Sequence, residues 1–205
     1  MTIRATFELE TNELQLGHGP VAGVDEAGRG PWAGPVVAAA VILDPERIPL
    51  SIADSKVLLP EEREAIFPRI MAAAHVGVGI ADVDRIDRDN ILNATMWAMA
   101  RAVAALDLQP KLVLIDGNRA PMLAMDKRTI VKGDAKCLSI AAASIIAKVT
   151  RDRLMVELGR AFPHYGFERH KGYGTPEHQQ ALHRHGVTDH HRRSFRPVQL
   201  ALALV

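Results

Sequence analysis

Apolar residues come in short runs bounded by glycine, proline and acids, and the spacing inside the runs changes along the chain. Residues 36–43 are almost unbroken apolar, the pattern of a strand, and 21–25 and 75–81 are further short strand-like runs. Residues 111–116 predict a fourth strand and 128–132 a fifth. Helical patterns lie between them. Pro60, Glu61 and Glu62 open a segment to about residue 74 with the proline and acids a helix N-terminus favours. Ile91, Thr95, Ala98, Ala102 and Leu106 keep a helical period through 89–106, and the Ala- and Ile-rich stretch 136–162 predicts one long, deeply buried helix. Strands alternating with helices predict an α/β fold. The neighbouring 21–25 and 36–43 strands are placed to pair as a hairpin, which makes the sheet mixed. Residues 1–18 read as a flexible lead-in that ends at a Gly-His-Gly-Pro turn.

Composition narrows the class. The chain has 205 residues, 48% hydrophobic and 24% charged, which suits one compact domain with a small appendage and excludes a disordered chain. One cysteine, Cys137, excludes an internal disulfide framework and a Cys-rich zinc site, and it reads as a small buried apolar residue. No apolar run reaches membrane-span length, and acids occupy the start where a signal peptide would be basic and then apolar, so a cytoplasmic location is expected. The net charge of +1 hides an asymmetry. Residues 160–205 carry seven Lys+Arg against three Asp+Glu, net +4, which leaves −3 on the preceding 159. An acidic body with a basic tail is expected where a polyanion must reach a carboxylate site.

Four acids sit where strands or turns end: Asp25 and Glu26 after the first strand, Asp116 after the fourth, and Asp134 just before the long helix. Strand ends are where side chains from distant segments converge. Several converged carboxylates cannot all stay ionised without a cation, and hard oxygen ligands select Mg²⁺ or Mn²⁺. A pair of such ions ~3.5–4 Å apart suits a phosphodiester displacement. Beside two of the acids, Gly28-Arg29-Gly30-Pro31 allows close backbone approach and offers a guanidinium for phosphate. These glycines lead into a strand rather than a helix, so they are not a dinucleotide fingerprint.

The stretch Val24-Asp25-Glu26-Ala27-Gly28-Arg29-Gly30-Pro31 closely resembles the ribonuclease HII family. So do Asp54-Ser55-Lys56, Ile115-Asp116-Gly117-Asn118, Lys132-Gly133-Asp134, the 139–152 helix segment, His170-Lys171-Gly172-Tyr173-Gly174-Thr175 and His190-His191-Arg192-Arg193-Ser194-Phe195. The matches keep the family's order over about residues 21–198. The resemblance implies a ribonuclease H-like mixed sheet flanked by helices over 19–162, with a small, basic, mainly helical substrate-binding part over 163–205. It implies an endoribonuclease that cuts the RNA strand of RNA-DNA hybrids and nicks DNA 5′ of embedded ribonucleotides, leaving 3′-OH and 5′-phosphate. Asp25, Glu26, Asp116 and Asp134 match the family's metal-binding carboxylates, with Asp25 expected to be shared between two ions. Gly28, Arg29 and Gly30 match the loop whose backbone meets the ribonucleotide 2′-OH, and Tyr173 matches the tyrosine that packs on the next deoxyribose. Lys56 and Lys171 are expected at phosphates, although Val57 stands where the family usually has a second lysine.

Further expectations concern the remaining polar residues. Ser139 and Ser144 belong to the helix interior. His183, His185, His190 and His191, together with Arg184, Arg192 and Arg193, form a basic nucleic-acid face rather than a zinc site. Trp97 fits the apolar face of its helix, while Trp32 is placed to pack or to touch substrate. Residues 199–205 resemble, imperfectly, a peptide that docks on sliding clamps, but an apolar helix end folded on the core fits better. A monomer is expected. The rival from another class is a noncatalytic module that binds RNA-DNA hybrids through the basic tail.

Overall fold

The computed structural model describes residues 5–203. The apolar runs become the strands β1 (Val21–Ala27), β2 (Val36–Leu43), β3 (Ala74–Ala81), β4 (Leu112–Asp116) and β5 (Asp126–Ile130), which form one sheet in the order β3-β2-β1-β4-β5. β2 runs antiparallel to both β1 and β3, whereas β4 runs parallel to β1 and β5 parallel to β4. The sheet is therefore mixed, with the expected hairpin at its centre.

Strand alternation sorts the core into two layers. Ala38, Ala40 and Ile42 of β2 face one cluster with α3 (Val83–Ala104). Ala39, Val41 and Leu43 face the other, with α2 (Pro60–Ala73) and α4 (Leu138–Ala161). Burial on both faces is why β2 reads as an unbroken apolar run. At Gly23 in β1, a Cβ would stand 2.2 Å from the Ser139 carbonyl carbon, so α4 lies with its backbone directly on this strand. That contact fixes the N-terminus of α4 over the ends of the two parallel strands.

Local chemistry explains where elements begin. The helix over residues 89–106 starts earlier than its periodicity predicts, at Val83, but Asn90 breaks it with φ 65°. The Asn90 side chain then accepts from the backbone N–H of Leu92 and Asn93, recapping the half that carries the apolar period. β5 ends two residues before the expected 132, because Lys132 adopts a left-handed conformation (φ 56°) and starts a 3₁₀ turn over Gly133–Ala135. Trp97 packs against the α3-side core as expected, under the Arg85 guanidinium.

The segment before β1 differs from the expected lead-in. It forms α1 (Glu8–Gln15), whose Glu10 and Glu13 are buried. The Glu10 carboxylate accepts from the Ser139 backbone N–H and hydroxyl, both at 2.7 Å, and so caps α4 from the far end of the chain. Glu13 pairs with Arg128 of β5 at 2.6 Å. The Met1–Arg4 part of the lead-in lies outside the described residues. Beyond α4 come three short helices, α5 (Phe167–His170), α6 (Pro176–His185) and α7 (Arg196–Leu202). Val198 of α7 is buried, but Leu200 and Leu202 are exposed, so the expected folding of this apolar end onto the core stops at its first turn. Residues 204–205 of that segment lie outside the described residues. Among the described residues no helix is long and apolar enough to cross a membrane.

Candidate active site

The parallel pairing of β1 with β4 aligns Val21 with Leu112 and continues to Val24 with Ile115. One step further, both strands reach an aspartate, Asp25 and Asp116. Alternation places both on the face covered by α4, since Gly23 meets α4 and Leu114 shares a cluster with Cys137 and Ile140. The 3₁₀ turn ahead of α4 delivers Asp134 to the same place. Asp25, Asp116 and Asp134 each offer a carboxylate oxygen, and these oxygens lie within 4.8 Å of one another.

Holding three carboxylates together is unfavourable, and the electrostatics record it. Burial raises the Asp25 carboxyl well above the usual range, with the charges of Glu26 and Asp116 adding to it. Burial likewise raises Asp116, although the Gly133 N–H donates to its Oδ1 at 2.7 Å and offsets part of the effect. Burial would lower the Lys56 ammonium, yet its bond to Asp134 holds it above the ordinary lysine value. A cluster that already draws a lysine cation onto one member is a donor set for a hard divalent cation.

Glu26 is not one of the converged three. Its Oε1 accepts from Arg29 at 3.2 Å, although its charge still acts on Asp25 and meets that of Asp116. It still borders the cleft of about 240 Å³ that holds Asp25, Gly28, Lys56 and Tyr173. Gly28 has φ +97°, and a Cβ there would stand 2.0 Å from Arg151 Nε, so the loop's first glycine is required twice over. Gly30 is different. A Cβ there would meet only Tyr173 Cε1, at 3.6 Å, so nothing inside the protein demands a bare backbone at this exposed position. Tyr173, 46% exposed, faces it across the mouth of the cleft.

Tyr173 is held by an imidazole chain. Its N–H donates to the His170 carbonyl at 2.9 Å, and its own carbonyl accepts from His178 Nδ1 at 3.0 Å. His178 Nε2 is 3.0 Å from His191 Nε2, and His191 Nδ1 accepts from the Thr188 N–H and hydroxyl. One set of neutral tautomers satisfies all of these bonds. Burial pushes His178 down to about 4 and His191 to about 3.

Several expected site residues are placed elsewhere. His191 and Arg192 are fully buried and cannot join a basic outer face, because the chain between α6 and α7 folds inward against the glycine loop. Arg192 instead donates to loop carbonyls. Arg193 is exposed and pairs with Asp189, while His183 and His185 are exposed on α6. Lys171 lies outside the cleft and donates its Nζ to the Glu168 carbonyl. Ser139 serves the Glu10 cap, and Ser144 bonds its own helix at Ala141 while accepting from the Ser55 N–H, which steadies the loop carrying Lys56. Trp32 packs 5.4 Å from His178, ring to ring. Cys137 is buried, its thiol pushed up to about 12 by burial and the nearby Glu10 charge. The sequence reading missed Arg151, Arg192 and His178 as framework residues. Only their polarity in otherwise apolar or glycine-rich contexts could have marked them.

A mixed sheet flanked by helices, with acids converging where two parallel neighbours end, defines a nuclease of the ribonuclease H-like fold. The family model described as Ribonuclease HII matches residues 22–198. A ribonuclease HII from Azorhizobium caulinodans is 59% identical over 194 residues, covering 95% of this chain and 75% of that one. The chain belongs to the ribonuclease HII family and is an RNase H endonuclease acting on RNA-DNA hybrids. Among solved structures, the ribonuclease H2 from Pyrococcus horikoshii is similar with a TM-score of 0.80 at 26% identity, covering 90% of this chain and 97% of that one. The PCNA:RNase HII complex from Archaeoglobus fulgidus is similar with a TM-score of 0.73 at 26% identity, covering 86% and 95%.

Two predictions follow the electrostatics. A carboxyl raised in the fold contributes stability below the ordinary carboxylate range and loses it as pH rises through the raised value. At neutral pH without metal, Asp25→Asn should therefore raise Tm, by roughly 2–4 °C per kcal/mol relieved, while abolishing cleavage. Scanning calorimetry in chelator checks this, and an unchanged or lower Tm contradicts it. Histidines depressed to about 4 and about 3 behave oppositely: their stability is present above the unfolded value of about 6.5 and is lost as pH falls through the folded values. Tm should drop from pH 6.5 towards 4 less steeply in His191→Gln than in the wild type.

Proposed function

We propose that this protein nicks duplex DNA on the 5′ side of an embedded ribonucleotide in a divalent-metal-dependent hydrolysis, leaving 3′-OH and 5′-phosphate. The observation that carries the reading is the convergence of Asp25, Asp116 and Asp134, with Asp25 itself lining the cleft that also holds Gly28 and Tyr173. Asp25, Asp116 and Asp134 would hold Mg²⁺ or Mn²⁺, with Glu26 at the border of the site. When bound, such ions neutralise the carboxylates and act as Lewis acids towards a phosphodiester.

The chain's own groups supply selection. A 2′-OH is the handle that tells RNA from DNA at one nucleotide. Gly28-Arg29-Gly30 presents backbone to it, and Gly30 keeps its surface bare opposite Tyr173. Tyr173 packs its ring on the next sugar, where a 2′ oxygen would clash, so ribose followed by deoxyribose fits. Arg29, exposed on the loop and paired with Glu26, would meet phosphate, and so would Lys56 on leaving its pair with Asp134. Lys171 reaches a phosphate only after leaving the Glu168 carbonyl. A noncatalytic hybrid-binding module is disfavoured, because a buried cluster of carboxylates repels the phosphodiester it would have to hold.

A labelled duplex carrying one ribonucleotide, incubated with Mg²⁺, with Mn²⁺ and with chelator beside an all-DNA control, tests the reading. The expected result is a metal-dependent cut 5′ of the ribonucleotide and an intact control. Cleavage of long hybrids alone would reject the roles given to Gly28, Arg29, Gly30 and Tyr173, and retention of uncut hybrid in every condition would favour the binding module.

A second surface fits a sliding clamp. The Archaeoglobus fulgidus relative was solved as a PCNA complex, and here Leu200 and Leu202 stand exposed on α7 rather than covered by the core. Deleting residues 199–205 should remove clamp co-elution in size-exclusion chromatography and leave cleavage of short duplexes unchanged; undiminished co-elution would end the idea.

A further inference from the structure

Arg151 and Arg192 are 1% and 0% exposed, and neither pairs with a carboxylate among the described residues. Every side-chain bond they make goes to a backbone carbonyl. Arg192 donates to Gly28 (2.6 Å), Arg29 (3.0 Å), Gly34 (2.8 and 3.0 Å) and Pro35 (3.2 Å). Arg151 donates to Ala33 (3.1 Å), Pro35 (2.9 Å) and Lys171 (3.0 Å). Burying a guanidinium without a counter-ion is unfavourable, and an apolar filler would serve stability at least as well. The placement of these charges therefore answers a geometric need.

The geometry is set by the planar trans peptide, in which a carbonyl and the N–H of the next residue point to opposite sides. With the Gly28 and Arg29 carbonyls drawn inward onto Arg192, the N–H groups of Arg29 and Gly30 point outward. Both residues are exposed, and neither N–H has a partner among the described residues. A cation behind each carbonyl also polarises the peptide and strengthens its N–H as a donor. Arg151 adds the second half. By holding Ala33 and Pro35 of the loop together with Lys171, it sets the distance from the loop to the segment that carries Tyr173.

We propose that Arg192 and Arg151 are the positioning residues of the junction reader: Arg192 turns two consecutive amides outward to receive the ribonucleotide 2′ oxygen, and Arg151 sets their spacing from Tyr173. This rests on the reading of the glycine loop given above. Burial lowers the two guanidinium values to about 9 and about 10, so both stay charged at neutral pH.

The test uses the full-length protein and steady-state kinetics on a single-ribonucleotide duplex, with an all-DNA duplex of the same sequence as competitor. In the wild type, KM for the first should lie well below the inhibition constant of the second; equal values would overturn the loop reading itself, before any variant is made. In Arg192→Lys, which keeps the charge but not the fork, KM should rise about tenfold, the worth of one hydrogen bond, with the all-DNA inhibition constant unchanged. Arg151→Lys should lower the preference for a ribose-deoxyribose junction over a continuous RNA strand. Variants that lose affinity for both duplexes equally, or keep full discrimination, would overturn the inference while leaving the loop reading intact. Should neither variant fold, hydrogen exchange on Asp25→Asn protein decides. Protection of the Arg29 and Gly30 amides by the ribonucleotide duplex, but not by all-DNA, supports the inference, and equal or absent protection overturns it.

Discussion

Two parallel neighbours that each reach an aspartate one step beyond their last paired rung impose the constraint on which the rest of the molecule is organised. The β1–β4 register sets Asp25 beside Asp116 on one face, where neither side chain can turn to the other side of the sheet without a slip of register. Such a slip would carry Val21 and Leu112 out of the core with them. The like charges are therefore locked together by the burial of the strands behind them, and α4 closes on the pair because Gly23 lets its backbone touch the sheet. Asp134 completes a group that the bare chain holds only at a cost. That cost is the physical basis of the cation binding proposed for the site, since a more relaxed arrangement would be more stable and would gain less from a cation.

Much of this was legible in the sequence, and for a local reason. An apolar run ending in a carboxylate marks the end of β4 at Asp116, and 36–43 reports both its limits without error, whereas β1 runs two residues past Asp25 because Glu26 and Ala27 still pair with β2. The long helix and the Asp134 turn read equally well, because alanine and glycine carry strong backbone preferences. Glu26 shows the limit of such reading. As a neighbour of Asp25 its charge reaches both Asp25 and Asp116, but its carboxylate is drawn to Arg29 and lies outside the closest group of three, a division that sequence adjacency does not reveal.

The residues that escaped the sequence are the ones whose role depends on distant packing. Glu10 caps a helix whose first residues lie 129 positions away, and Arg192 holds carbonyls more than 150 positions upstream. From composition alone, a histidine- and arginine-rich segment suggests a solvated face that meets phosphate. The structure splits that segment: Arg193, His183 and His185 stay outside, whereas His191 and Arg192 turn inward. An isolated sequence carries no signal for that division, since the inward pair is stabilised by carbonyls and imidazoles contributed by other segments.

The inward polar groups also explain how one small domain can combine a strained acidic cluster with a fixed glycine loop beside it. The acids are few and close, so their repulsion is local and one a cation would relieve. The glycine loop, by contrast, has no regular secondary structure to hold it and needs its carbonyls satisfied from beneath. Neutral imidazoles satisfy the Tyr173 carbonyl, while guanidiniums satisfy the loop, and each choice follows from the number of acceptors present. A single carbonyl is served by one ring N–H. Five converging carbonyls need the several fixed donors that only a guanidinium carries. The backbone of the loop is thereby ordered by the fold itself, so a ligand bound there, as proposed, would meet little further ordering entropy.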